Sequence, residues 1–164
     1  KRKNVVNLVK AFKGINKDYL LVLVGKPGWK SEEILEAIES IDLSKDVRMI
    51  GYIPDNELPL FYSNAELFVY PSLYEGFGMP PVEAMSCGAT VMVSDIPVFR
   101  EILQEAAVYV NPYDIAEIHD KLFYYLQNES ERDRLRHSGL KLSGKYTWER
   151  SAGALLNIYK ELYK

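Results

Sequence analysis

Cysteine and histidine are nearly absent from this sequence of 164 residues. Its single cysteine, Cys87, excludes an internal disulfide and is typical of a reducing compartment. The sequence also has only two histidines, no Asp-x-Asp pair and no His/Cys cluster with the spacing of metal ligands. These absences predict a cytoplasmic protein without a catalytic metal. We also expect no other cofactor.

Long apolar runs are missing as well. No stretch approaches the length that crosses a bilayer, and the basic start, residues 1–4, is not followed by the apolar core of a signal peptide. The net charge of −3 does not favour nucleic acid as a partner. Residues 1–30 nevertheless hold eight Lys/Arg and one acid, a balance of +7 that leaves −10 for the rest. This basic part is the first place to look for a phosphate-bearing ligand, although ordinary surface lysines would give the same count.

The sequence does contain a regular alternation of strand and helix patterns. Strands are predicted over 19–24, 47–50, 67–70, 90–93 and 107–110. Helices are predicted over 4–12, 31–38, 54–61, from 82 until Gly88, over 98–103, 114–127 and 130–144, and from Thr147 onward. The continuous apolar run 19–24 predicts a strand covered on both faces. Strands interleaved with helices predict an α/β fold with a doubly wound parallel sheet, followed here by extra C-terminal helices.

Length and composition indicate one domain, residues 1–164. The chain opens on a helix pattern with no strand before it. We therefore expect a piece of a longer protein that lacks the first strand of this domain.

The segment 75–83 carries the clearest functional signal. Glu75 and Glu83 flank a glycine turn and two prolines, between a predicted strand and a predicted helix. The amides of such a turn and the positive end of the helix dipole suit a phosphate. Two carboxylates would repel a bare phosphate, so they suggest a ligand that also carries hydroxyls. A nucleotide-sugar supplies the phosphate, a ribose and a sugar.

Five segments in order extend this interpretation over essentially the whole chain. They are Lys3-Asn4, 21–25, 51–54, 71–78 and 83–88. Together they resemble the C-terminal, donor-binding half of glycosyltransferase family 4 (group 1), whose members have the GT-B fold. The resemblance implies a Rossmann-like domain that binds a nucleoside-diphosphate sugar (a UDP-, GDP- or ADP-sugar). It also implies retaining, metal-independent transfer to a hydroxyl acceptor in polysaccharide or glycolipid biosynthesis.

The resemblance assigns roles to matched residues only. Glu75 would lie close to the donor sugar, in a positioning and electrostatic role, and Lys3 would contact the diphosphate. Glu83 would bind the ribose hydroxyls. The family's usual arginine partner would lie upstream of this chain. The remaining donor contacts would be the loop amides of Gly76, Phe77, Gly78 and Met79, a nucleotide-bordering loop at Gly25, Lys26 and Pro27, and the base-packing residues Tyr52 and Ile53.

The resemblance also implies a partner. A GT-B enzyme holds its acceptor on an N-terminal domain of the same polypeptide, which this chain lacks, so we expect the isolated chain to bind donor weakly and transfer nothing. Membrane association of the full-length protein, as a peripheral protein at the inner face, is compatible with the resemblance.

Other classes fit the sequence less well. A nucleotide-sugar-binding module without catalysis could have lost either glutamate, and a GT-B phosphorylase or epimerase is the nearest enzyme alternative. A receiver domain needs an acidic cluster after its first strand, where residues 25–28 are basic. A dinucleotide site needs Gly-x-Gly-x-x-Gly, whose spacing residues 25–28 do not have.

Overall fold

The fold places five parallel strands between helices. The computed structural model describes residues 2–15, 17–26 and 32–163. The strands are β1 (Leu21–Val24), β2 (Val47–Gly51), β3 (Phe68–Tyr70), β4 (Val91–Ser94) and β5 (Val108–Val110). The helices are α1 (Val5–Phe12), α2 (Glu32–Ser40), α3 (Leu58–Asn64), α4 (Met79–Ser86), α5 (Pro97–Leu103), α6 (Ile115–Gln127), α7 (Glu129–Ser143) and α8 (Trp148–Leu162). The predicted order of elements and the α/β class are confirmed.

The five strands form two parallel sheets rather than one continuous sheet. β1 pairs with β2, and β3, β4 and β5 pair in that order. Within the described residues, β1 and β3 each therefore use only one hydrogen-bonding edge. The sequence pattern could not show this division, because strand periodicity carries no information on which strands are neighbours.

Alternating side chains of β4 pack into two cores on opposite faces. Met92 belongs to a core with α1, α2 and α6, whereas Val91 and Val93 belong to a second core with α3, α4 and α5. All four residues of β4 are buried. This is the doubly wound arrangement that the strand–helix alternation predicts.

β1 differs from its prediction. Leu21 and Leu23 pack on the first core, but Val22 and Val24 are 38% and 44% exposed. The expectation of a strand covered on both faces is therefore wrong for the part of the chain that the structure describes. An apolar run shows that both faces of a strand could be buried, but in the described residues only one face of β1 has other elements packed against it.

The C-terminal helices divide into two kinds. α6 and α7 contribute buried residues to the cores, whereas α8 buries none. The predicted cap of α8 is confirmed, since the Thr147 side chain accepts a hydrogen bond from the Arg150 amide at 3.3 Å. The predicted cap of α2, Ser31, lies outside the described residues. Among those residues, no helix combines the length and apolarity that crossing a bilayer requires.

Candidate functional site

The loop between β3 and α4 forms the centre of the site. Pro71 follows the three-residue β3, and Gly78, the residue immediately before α4, has a left-handed conformation with φ 92°. A side chain at position 78 would collide with the Phe99 ring, because an ideal Cβ would lie 2.4 Å from its Cε1. Pro80 and Pro81 occupy the first turn, where their missing amides cost no helical hydrogen bond. These residues together define the path of the loop.

Glu75 is held in this loop by two cations. Its side chain is only 8% exposed; Lys3 Nζ lies 2.8 Å from Oε1 and Arg2 Nη1 lies 2.6 Å from Oε2. Arg2 also donates to the Tyr74 carbonyl at 3.3 Å. Burial by itself raises the pKa of the Glu75 carboxyl, but hydrogen bonds from the two cations and the charge of Lys3 outweigh it and lower the pKa below its usual value. Glu75 is therefore ionised at neutral pH.

The start of the chain is docked against the same loop. The Leu73 amide donates to the Arg2 carbonyl at 2.9 Å. Lys3 also donates to the Tyr70 hydroxyl, and its ammonium lies 4.2 Å from the centre of the Tyr70 ring. The structure therefore brings the predicted Lys3 and Glu75 together across 72 positions of sequence.

Arg2 is a site residue that sequence reasoning missed. The resemblance assigned an arginine to a position upstream of the chain, and Arg2 was counted only within the basic start. The signal available in the sequence was that Arg2 is adjacent to Lys3, just before α1. Which carboxylate it would meet depends on the packing of residues far apart in sequence.

Glu83 lies one turn into α4, half-buried. Its Oε2 accepts a hydrogen bond from the Tyr62 hydroxyl of α3 at 3.2 Å. The helix predicted over 54–61 is observed as α3, and its buried residue is Tyr62, which is 7% exposed, whereas Leu60 and Phe61 are 62% and 39% exposed. Tyr62 is thus a second residue that sequence reasoning missed.

The predicted loop amides lie immediately before and at the start of α4. Gly76, Phe77 and Met79 are exposed, and Gly78 is buried. No described acceptor takes a hydrogen bond from the amides of residues 76–79. The Phe77 ring contacts Tyr146 edge-on, with centroids 5.8 Å apart. The loop therefore offers amides that have no hydrogen-bond partner among the described residues, beside the Arg2–Lys3–Glu75 cluster.

The other predicted contacts form a separate pair of loops, after β1 and β2. The Gly25 amide donates to the Gly51 carbonyl at 2.8 Å, and Lys26 Nζ lies 5.1 Å from the centre of the Tyr52 ring. Tyr52 is 60% exposed, whereas Ile53 is 8% exposed. The predicted Pro27 lies outside the described residues. No described contact joins this pair of loops to Glu75, although both follow the carboxyl ends of parallel strands, where ligands bind in such sheets.

A family model agrees with this arrangement. Residues 1–142 match the model described as glycosyl transferases group 1. The chain belongs to the group 1 glycosyl transferases. This membership confirms the broader of the sequence-based predictions, the donor-binding domain of a group 1 enzyme.

Similar proteins support the same assignment. The O-antigen chain mannosyltransferase B of Escherichia coli is 34% identical over 165 residues, which cover 98% of this chain and 43% of that protein. The sucrose-phosphate synthase of Thermosynechococcus elongatus has a structure with a TM-score of 0.87 and 28% identity, covering 99% of this chain and 43% of that one. HepE of Anabaena, solved in complex with UDP and glucose, has the same fold at a TM-score of 0.81 and 18% identity, over 88% of this chain and 41% of that one. This group 1 chain therefore spans less than half the length of each of these three proteins.

Proposed function

We propose that this chain is the donor-binding half of a retaining, metal-independent glycosyltransferase of family 4. Its donor would be a nucleoside-diphosphate sugar, and no other cofactor would take part. The observation that carries the proposal is the meeting of Arg2, Lys3 and Glu75 at a loop with free amides, next to the helix that holds Glu83.

Each part of the donor then has a matching group. The cations and the amides of Gly76–Met79 suit the diphosphate, whose charge grows as the sugar leaves. Glu75 lies beside them, where a buried carboxylate can position the sugar and stabilise positive charge on its ring. Glu83 suits the ribose hydroxyls, because an ionised carboxylate accepts hydrogen bonds and donates none.

The two cations have a double role in this proposal. In the structure they neutralise Glu75, which would otherwise repel a diphosphate. Arg2 and Lys3 are 53% and 43% exposed at their side chains, so their free donor groups can reach an incoming phosphate while each keeps one bond to Glu75.

The sugar and the nucleotide are separate questions. The 34% identical relative is a mannosyltransferase, which makes a mannosyl donor the first to test. The base would pack near Tyr52 and Ile53, with Gly25 and Lys26 bordering the nucleotide, and these contacts do not distinguish UDP, GDP and ADP. The enzyme would act in the cytoplasm.

The parent polypeptide would complete both the reaction and the sheet. Its N-terminal domain would hold the acceptor, and transfer by this chain alone would contradict that part of the proposal. A parallel strand before residue 1 would pair with the unused edges of β1 and β3. Amide hydrogen exchange of β1 and β3 should then be slower in the parent polypeptide than in this chain; equal rates would contradict the strand.

The test is a titration of this chain with UDP, GDP and ADP, followed by amide NMR because weak binding is expected. Glu83→Gln, which keeps the shape of the side chain, should raise the Kd of the nucleotide that binds by about tenfold or more. Hydrogen bonds to charged groups contribute about 1.5–3 kcal/mol. Glu36→Gln, at an exposed position on α2, is the matched control and should bind like the unchanged chain. Binding of none of the three, or equal binding by both variants, would overturn the proposal.

A further inference from the structure

Tyr62 is placed to control the orientation of Glu83. It lies on α3, is 7% exposed, and its ring packs edge-on against Phe68, with centroids 5.2 Å apart at an interplanar angle of 86°. Its hydroxyl reaches Glu83 Oε2 at 3.2 Å. The ring is thus fixed in the core, while the hydroxyl points out of the core to the carboxylate.

The direction of this hydrogen bond is determined by charge. Burial, followed by the charge of Glu83 and the hydrogen bond to it, raises the pKa of Tyr62 well above its ordinary value. The phenol therefore keeps its proton and donates the hydrogen bond, which the Glu83 carboxylate accepts.

Tyr62 is also the group on which the orientation of Glu83 depends. Across the described ranges, no ion pair and no other side-chain hydrogen bond involves the Glu83 carboxylate. A glutamate without a partner samples several rotamers, which binding must restrict. With Oε2 held by Tyr62, Oε1 remains available at a half-buried position.

We propose that Tyr62 is a positioning residue for ribose recognition, which holds Glu83 so that its open oxygen meets the vicinal hydroxyls of the donor nucleotide. The inference rests on the proposed function, because it requires Glu83 to bind ribose. Tyr62 itself need not touch the ligand. Its contribution is a carboxylate oriented before the ligand arrives.

Removal of the hydroxyl alone tests this role. Tyr62→Phe keeps the ring and its packing on Phe68 and should raise the Kd of the nucleoside diphosphate by roughly three- to tenfold. This is less than the full value of a hydrogen bond to a charged group, because the Tyr62–Glu83 bond is present both before and after the nucleotide binds. Tyr19→Phe is the matched control, because it also removes a hydrogen-bonded hydroxyl, at 2.9 Å from the Leu126 carbonyl. The control should bind like the unchanged chain.

The decisive readout compares the nucleotide with its 2′,3′-dideoxy analogue. The unchanged chain should bind the analogue more weakly, and Tyr62→Phe should bind the analogue as the unchanged chain does, since no ribose hydroxyl is left for Glu83 to meet. Equal weakening of both ligands, or of neither, by Tyr62→Phe would overturn the positioning role. Tight binding of the analogue by the unchanged chain would instead overturn the role of Glu83, and with it the inference.

Discussion

Gly78 offers a stability prediction that follows directly from the geometry of the loop. Gly78→Ala places a Cβ on a residue with φ 92°, which costs about 1–2 kcal/mol in the left-handed region. The same Cβ would lie 2.4 Å from Cε1 of Phe99, a fully buried ring, and overpacking of this kind costs about 1–3 kcal/mol. We therefore expect a loss of about 2–5 kcal/mol in the free energy of unfolding.

Thermal and urea unfolding measure this loss. For a domain of this size, each 1 kcal/mol shifts the Tm by about 2–4 °C, so Gly78→Ala should lower it by about 4–20 °C. Gly76→Ala is the matched control in the same loop, because an added Cβ there meets no atom within 4 Å. Its Tm should stay close to that of the unchanged chain.

A second substitution separates the two causes. In a Phe99→Leu background the collision is relieved, and Gly78→Ala should then cost only the backbone part, about 1–2 kcal/mol. An unchanged cost in that background would refute the steric contribution. A Tm for Gly78→Ala equal to that of Gly76→Ala would refute the reasoning as a whole.

Three further predictions concern charge and capping. The pKa of Glu75 is lowered in the folded state, so its stabilising effect is present above the unfolded pKa of about 4.3 and is lost as the pH falls through the folded pKa. The Tm difference between the unchanged chain and Glu75→Gln should therefore shrink on acidification from pH 6 to about pH 3. A Tm difference that stays constant would contradict the ion pairs. Arg132→Ala should lower the free energy of unfolding, measured in urea, by about 2–4 kcal/mol, because this buried guanidinium donates to two backbone carbonyls and to Glu66. The control Arg134→Ala, at an exposed pair with Glu131, should lower it by less than about 0.5 kcal/mol. Thr147→Ala should remove about 1 kcal/mol of α8 stability and speed amide exchange in Trp148–Leu162, with the Tm unchanged because α8 buries no residue; a lower Tm would show that α8 supports the core.

The sequence predicted the site in part. The glycine turn, the prolines and the two glutamates lie close together in sequence, so local rules predicted a loop that leads into a helix there. Lys3 was predicted only through the family resemblance, and the structure places it on Glu75. Arg2 and Tyr62 were missed, because their partners lie 73 and 21 positions away and no periodic pattern reports such contacts.

The sequence by itself determined the order of the strands and helices, the parallel α/β class, the loop at 71–78 and the cap at Thr147. These features follow from side-chain periodicity and from backbone chemistry within a few residues. Only the tertiary structure decided that the sheet divides between β1 and β3, that one face of β1 remains open, and that Tyr62 rather than Leu60 or Phe61 is buried. It also decided that Glu75 is neutralised by both Arg2 and Lys3. These outcomes depend on which elements become neighbours, and that is determined by the packing of the whole chain around its two cores.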